Sequence, residues 1–299
     1  MTAGGRAGSA GRAERRARAR GLLLLAPALV TLATLTLYPT IWVGWLSLQR
    51  RMPIFGVSRF EGWGNYAFLA TDPRFWKAAQ VTLLFTLASV ALELAGGVLA
   101  AVALRSLRGG SRIALSLLLL AWALPSVVTA KLFEWLFHPA AGLINFVLGG
   151  IALNWLGDPR LALPGLILAD VWRTLPFVAV LCYARLLAIP AEVYEAAQLD
   201  GAGAVATLTR ITLPLLRRIL FIALLFRTLD ALRSFDLMFV LTGGGPAGTT
   251  ETLTVYAYRS LFQAVQLGLG SAVGVVVFAL VMLVAWAYLR ALRSQGLMA

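Results

Sequence analysis

Six predominantly apolar stretches constrain this chain more than any other feature. They run at about 21–46, 78–104, 113–137, 161–185, 219–241 and 268–290. As a helix, each is long enough to cross a hydrocarbon core of ~30 Å. A soluble core has no need of apolar runs of that length. With 60% hydrophobic and 13% charged residues, the composition is that of an integral membrane protein. The expected fold is all-α: a polytopic membrane domain at 21–290 with six transmembrane helices, between a basic tail at 1–20 and a short tail at 291–299.

A net charge of +13, carried by Arg apart from Lys77 and Lys131, is the kind of excess that nucleic acid can attract. Topology explains it better. With the amino terminus inside, the segments 1–20, 105–112, 186–218 and 291–299, with flanking Arg185 and Arg290, hold 15 of the 26 basic residues. The outer loops hold seven and the spans four. That bias predicts a multi-pass protein of the cell membrane with both termini cytoplasmic and no nucleic-acid partner. Residues 1–20, with six arginines among Gly, Ala and Ser, read as a solvated, disordered tail. The run from Gly21 is too long for the core of a cleaved signal and reads as an anchor. Cys182 alone makes no disulfide, and His138 alone makes no multi-histidine metal site.

The outer loop 47–77 is rich in aromatics, including Phe55, Phe60, Trp63, Tyr66, Phe75 and Trp76. Most suit the membrane interface, and the same loop can offer a surface to an extracytoplasmic partner. The segment 138–160 is apolar but broken by Pro and Gly, which predicts an interfacial or partly re-entrant element. Thr242-Gly243-Gly244-Gly245-Pro246 predicts a sharp turn at the outer end of the fifth span.

Charges inside the spans are costly in hydrocarbon and should face the bundle interior or a water-filled path. The second span has Glu93, the third Lys131 and Glu134, and the fourth Asp170 and Arg173. The fifth has Arg227, Asp230, Arg233 and Asp236. In three of these spans opposite signs stand three residues apart, close enough to pair along a helix. Two readings remain open: staples between helices, or the lining of a polar passage. Candidate passage residues are Arg227, Asp230, Arg233 and Asp236, with Lys131 and Trp135 from the third span. Asp230, near the middle of the fifth span, is the preferred one.

Between the fourth and fifth spans, Glu192–Arg218 is a polar interruption that reads as helix, turn, helix. Pro190 suits the start of the first helix, and Glu192 and Glu195 lie toward the positive end of its dipole. Asp200-Gly201 signals a turn, and Asp200 is also placed to cap a second helix from near Ala202. Pro214 is expected to break or kink that second helix. No GxxxxGK[ST] phosphate loop occurs, because neither lysine follows the required glycines, and no catalytic constellation stands out. The chain is therefore expected to be no enzyme and to bind no cofactor. If ATP drives it, another chain must hydrolyse the ATP.

Glu195-Ala196-Ala197, Asp200-Gly201-Ala202 and Ile211-Thr212-Leu213-Pro214 resemble, in kind and spacing, the EAA loop of importer-type ABC transporter permeases. Leu208, where members often have Phe, and Arg218, where Pro is frequent, depart from the pattern. Trp63-Gly64-Asn65-Tyr66, Asp72-Pro73, Gly142-Leu143-Ile144-Asn145 and Phe235-Asp236 are similar to the carbohydrate-uptake group. So is Leu241-Thr242-Gly243-Gly244-Gly245-Pro246 with Thr250-Glu251-Thr252-Leu253, which resembles the MalF/UgpA-type subunit in particular. The resemblance covers about residues 25–290.

The resemblance implies a type I ABC importer permease fold and a set of partners. These are a second, MalG/UgpE-type permease, two ABC ATPase subunits that bind ATP and Mg, an extracytoplasmic solute-binding protein and a sugar substrate, all within membrane lipid. It implies that Glu192, Glu195, Ala196, Ala197, Asp200, Gly201, Ala202 and Pro214 belong to the segment that couples to the ATPase. A di- or oligosaccharide such as trehalose or maltose is the expected cargo, with glycerol-3-phosphate as the alternative. An ion-coupled secondary transporter would also bury charges, but it gives no reason for a docking loop. A membrane-embedded enzyme ranks last.

Overall fold

The computed structural model describes residues 24–107 and 110–294, and these are helical apart from loops and one two-stranded hairpin. Helix α1 (Leu24–Ser47) runs into strands β1 (Gln49–Met52) and β2 (Val57–Phe60). The strands pair antiparallel, with Arg50 opposite Arg59. Helix α2 (Gly64–Thr71) follows, then α3 (Pro73–Ser106), which starts where its sequence says it should. The Asp72 carboxylate accepts from the Arg74 backbone N–H at 3.0 Å, and Pro73 occupies the first turn, where a missing N–H costs nothing.

α3 and α7 (Ala162–Leu187) form the central pair. They meet closely at Gly97, where a Cβ would stand 2.6 Å from Val178 Cγ1 and 3.1 Å from the Ala179 backbone nitrogen. Small residues are what let helices approach in a membrane, where no hydrophobic drive pulls them together. One buried cluster at the coupling-loop end joins α3 to α7 through Val98, Ala101, Val178, Cys182 and Leu186. Cys182 is a packing residue. A second cluster, around Phe85, Phe133, Phe137 and Leu166, fills the middle. A third, with Leu69, Phe75, Leu253, Tyr256 and Val273, lies near the hairpin.

Two expected spans are broken. The third is a pair, α4 (Ser111–Ala123) and α5 (Ser126–Leu136), bent by 98° and followed by the short α6 (Leu143–Val147). The cause is local: Leu124 precedes Pro125, whose ring pushes it out of the helical region to ψ 134°. The fifth does not reach residue 241. A continuous helical run, 204–232, comprises α9 (Ala204–Thr207), a π-turn at Leu208–Thr212 and α10 (Leu213–Leu232). It stops at Arg233 and resumes as α11 (Asp236–Thr242). The Ser234 carbonyl exposed by this break accepts from Thr254 Oγ1 at 2.7 Å, on α12 (Leu253–Tyr258).

Pro214 does not end the helix. It sits in the first turn of α10, directly after the π-turn, and that wider turn relieves the clash of its ring with the carbonyl four residues back. Nor does Asp200 cap the next helix, because Gly203 stands at that N-cap and Asp200 closes the helix before it. The last helix, α13 (Leu267–Ser294), packs on α1 and α12 and carries into the region expected to be a tail. The predicted tail 1–20 lies outside the described residues.

Among the described residues, α1, α3, α7 and α13 are each long and apolar enough to cross a membrane, and the bent pair α4–α5 has the length and composition of a fifth span or of a re-entrant loop. The fifth apolar stretch is carried by α10, whose 20 residues include Arg217, Arg218, Arg227 and Asp230.

Candidate functional site

The intramembrane charges converge on Arg227. Its guanidinium meets Glu93 of α3 twice, Nε to Oε2 at 2.5 Å and Nη2 to Oε1 at 2.8 Å. Nη2 also reaches Asp170 of α7 at 3.2 Å, and Nη1 reaches Asp230 at 2.6 Å. Thr174 donates to Glu93 Oε1 at 2.7 Å, and Arg173 stands 3.4 Å from Asp170. Three helices are thus tied by one cation. The side chains of Glu93 and Asp170 are fully buried, and that of Arg227 is 5% exposed. This burial and these contacts fit the staple reading of Arg227, because leaving any of these carboxylates unpaired in such surroundings would be expensive.

From this staple a charged track leads outward. Asp230 is half exposed and lies 3.6 Å from Arg233, which is 70% exposed at the end of α10. Asp230 is not at mid-span, since its helix ends two residues later. Past the break, Asp236 accepts from Ser126 Oγ at 2.8 Å. Ser126 opens α5 and Asp236 opens α11, so the two broken segments are joined at their breaks. Lys131 is exposed and paired with Glu134 at 2.6 Å on the same helix. Trp135 is exposed and faces a separate cleft of about 340 Å³ beside Asn145. Asp230, Arg233 and Asp236 thus sit along one stretch, while Lys131 and Trp135 are not brought into contact with them.

The expected coupling segment is helix α8 (Ala191–Leu199). Glu192, Glu195, Ala196 and Leu199 recur at helical spacing and are all exposed. The opposite face is seated. Ala197 is buried, and Tyr194 lies under the Arg105 guanidinium at 3.8 Å from the end of α3. The Tyr194 hydroxyl is 3.5 Å from Thr212 Oγ1 in the π-turn. The helix closes with two crossed bonds, Ala202 N–H to the Ala197 carbonyl at 2.9 Å and Gly201 N–H to the Gln198 carbonyl at 3.0 Å. That closure needs a left-handed residue, and Gly201 supplies it with φ +75°. Asp200 and Gly201 are exposed beside it, Ala202 is half-buried, and Pro214 is exposed at the base of α10.

At the hairpin end, the turn Gly243-Gly244-Gly245 takes three positive φ values in a row. Glu251 clasps it, held by Arg74 at 2.9 and 2.7 Å and by Arg259 at 3.1 Å. Arg259 also donates to the Gly243 carbonyl at 2.5 Å. Nearby, Tyr256 donates to Asp72 at 2.7 Å, and burial together with that bond pushes its phenol well above the usual range. Residues that looked distinctive in sequence are structural here. The Asn145 side chain likewise donates to the carbonyls of Pro139 and Leu153 and accepts from Trp155.

Reasoning from sequence missed the pairing of Glu93 with Arg227 and the bond between Ser126 and Asp236. A signal existed for the first. Glu93 has no opposite charge three or four residues away, so its partner had to come from another helix.

Comparison with known proteins gives this geometry a lineage. The chain is 36% identical to the trehalose/maltose transport system permease protein MalF of Thermococcus litoralis, over 92% of this chain and 94% of the relative. It is 37% identical to the sulfoquinovosyl glycerol transport system permease protein SmoG of Agrobacterium fabrum, over 93% and 92%. Its fold matches a chain of a bacterial alginate ABC transporter solved with an alginate pentasaccharide-bound periplasmic protein. The TM-score is 0.80 at 20% identity, covering 94% of this chain and 96% of that one. A family model, "binding-protein-dependent transport system inner membrane component", matches residues 93–294. The chain belongs to that family, as an ABC importer permease of the inner membrane.

Proposed function

We propose that this chain is one half of the translocation pathway of an ATP-driven sugar importer, carrying a di- or oligosaccharide of the trehalose or maltose kind. A second permease of the MalG/UgpE type completes the pathway. Two ATPase subunits bind ATP and Mg and drive it, and an extracytoplasmic solute-binding protein delivers the sugar. The observation that carries this reading is helix α8, exposed along Glu192, Glu195, Ala196 and Leu199 and braced from behind on α3 and the π-turn. A short helix gripped on one face and seated on the bundle by the other passes a push from the ATPase to the spans. Packed interfaces shift between discrete arrangements rather than yielding gradually.

With α8 cytoplasmic, the basic residues at its end of the bundle follow the positive-inside bias, and both termini lie inside. Cargo meets the chain where α10 breaks. Asp230 and Arg233 offer hydrogen bonds to sugar hydroxyls there, and Asp236 holds the neighbouring break in place. The relatives named for trehalose, maltose and sulfoquinovosyl glycerol support a glycoside cargo.

The test is ATPase activity of the complete complex, reconstituted with its solute-binding protein and offered trehalose, maltose and glycerol-3-phosphate in turn. Stimulation by a disaccharide is expected. Stimulation by glycerol-3-phosphate alone would overturn the cargo, and failure of the chain to co-purify with an ATPase would overturn the assembly.

A further inference from the structure

The chain itself ties α8 to α7, with Ala188, Ile189 and Pro190 between them, and to the helical run that begins at Ala204. Its tie to α3 is made by side chains. The Arg105 guanidinium, in the last turn of α3, stands 3.8 Å from the centre of the Tyr194 ring. That ring also packs on the cluster that holds Val98, Ala101 and Leu186. A cation gains most from an aromatic face where water is excluded. Here Arg105 Nη1 is buried and meets no hydrogen-bond acceptor among the described residues. A cation in the last turn of a helix ordinarily complements the helix dipole. That role asks only for charge near the last carbonyls and leaves the ring beneath it unexplained.

What α3 does elsewhere gives this contact its weight. The helix runs unbroken from Pro73 to Ser106, and each of its charged side chains reaches a later part of the chain. Arg74 holds Glu251 beside the glycine turn, and Lys77 donates to the Ala247 carbonyl at 2.8 Å. Glu93 takes Arg227 in the staple. Arg105 on Tyr194 completes the set. At 1.5 Å per residue, Arg105 lies about 18 Å along the helix from Glu93 and about 47 Å from Arg74. One helix therefore joins the seat of α8 to the staple and to the clasp at the far end.

We propose that Arg105 is a positioning residue for energy coupling. Its guanidinium grips the Tyr194 ring, so that a push on α8 carries α3 along with α7 and α10. Without that grip the chain still pulls α7 and α10, and α3 loses its direct link to α8. The staple is then driven from two helices rather than three, and the shift between packed arrangements is no longer concerted. The ring, not the hydroxyl, makes the contact, since the hydroxyl lies 3.5 Å from Thr212 Oγ1 on another side. The inference rests on α8 as the coupling segment, as proposed above, and is independent of the cargo.

The test uses the complete reconstituted complex and whichever of trehalose, maltose and glycerol-3-phosphate stimulates the wild type through the solute-binding protein. In Arg105→Gln the ratio of stimulated to unstimulated ATPase should fall roughly fivefold or more, the lower end of ordinary coupling between sites. Co-purification with the ATPase and the thermal transition should hold. Arg105→Lys keeps a cation over the ring and should recover most of the ratio. Tyr194→Phe keeps the ring and should retain it, while Tyr194→Leu should match Arg105→Gln. The double variant Arg105→Gln with Tyr194→Leu should be no worse than either single one, because both remove the same contact. A stimulated wild type with an unchanged ratio in Arg105→Gln would overturn this inference alone, as would losses that add in the double variant. A fall in the thermal transition of Arg105→Gln as large as that of Arg227→Met would make Arg105 a folding residue instead. A wild-type complex that none of the three substrates stimulates would overturn the importer reading and this inference with it.

Discussion

Arg227 of α10 and Glu93 of α3, separated by 134 positions in sequence, share two contacts of 2.5 and 2.8 Å inside the bundle. With Asp170 they join α3, α7 and α10 at one point. Removing the cation strands two buried carboxylates and frees Asp230. Arg227→Met should therefore lower stability by about 3–5 kcal/mol, the usual cost of breaking a buried pair from one side. Arg227→Lys should recover only part, since an ammonium cannot reproduce the forked contact. The thermal transition of the purified chain in detergent reads both. A transition unchanged in Arg227→Met would show that the staple does not hold the helices.

Glu195 is exposed on α8 and takes no part in the packing behind it. Glu195→Arg should leave membrane insertion and assembly intact and abolish substrate-stimulated ATPase in the reconstituted complex. Normal stimulation in that variant would remove α8 from the coupling path.

Gly201 adopts φ +75° with open space where a Cβ would go. Gly201→Ala therefore meets no clash, only the left-handed penalty of roughly 1–2 kcal/mol. Because the closure of α8 is local, the loss should show as weaker stimulated ATPase with little change in the global thermal transition. A global loss as large as that from Arg227→Met would place Gly201 in the core of folding instead.

Asp230 and Arg233 stand at the exposed end of the charged track. Arg233→Gln should raise the KM for sugar uptake roughly tenfold, about 1.4 kcal/mol of binding, while stability holds. Asp230→Asn should do the same with a modest stability loss, since Asp230 also contacts Arg227. Unchanged uptake kinetics in both variants would leave these residues with structural roles alone.

A Cβ at Gly97 would stand 2.6 Å from Val178 Cγ1, closer than side chains tolerate, and 3.1 Å from the Ala179 backbone nitrogen. Gly97→Val should cost about 1–3 kcal/mol through displaced packing between α3 and α7, read as a lower thermal transition. Gly56, which has open space around it in the hairpin, should accept Asn with little effect, left-handed Asn being tolerated. The pair separates close approach from backbone conformation.

The apolar stretches made the chain a membrane helical bundle without any knowledge of contacts, because hydrophobicity over twenty or so residues acts locally and adds along the sequence. Helix α8 and its closure were equally legible. Glu192 in the first turn and Gly201 after the last are short-range signals that hold wherever the segment sits. Proline was harder to read. Pro125 and Pro214 look alike in sequence, yet one bends its span by 98° and the other is absorbed by a π-turn. What differs is whether the turn preceding each ring can widen, and that depends on the packing around it. The charges show the same division more sharply. The sequence alone determined that Glu93, Asp170, Arg227 and Asp230 must find partners, because hydrocarbon solvates no charge. Only the tertiary structure decided that Arg227 takes Glu93 and Asp170. Pairing across three helices depends on how they are rotated against one another, and no periodicity within a single helix encodes that angle.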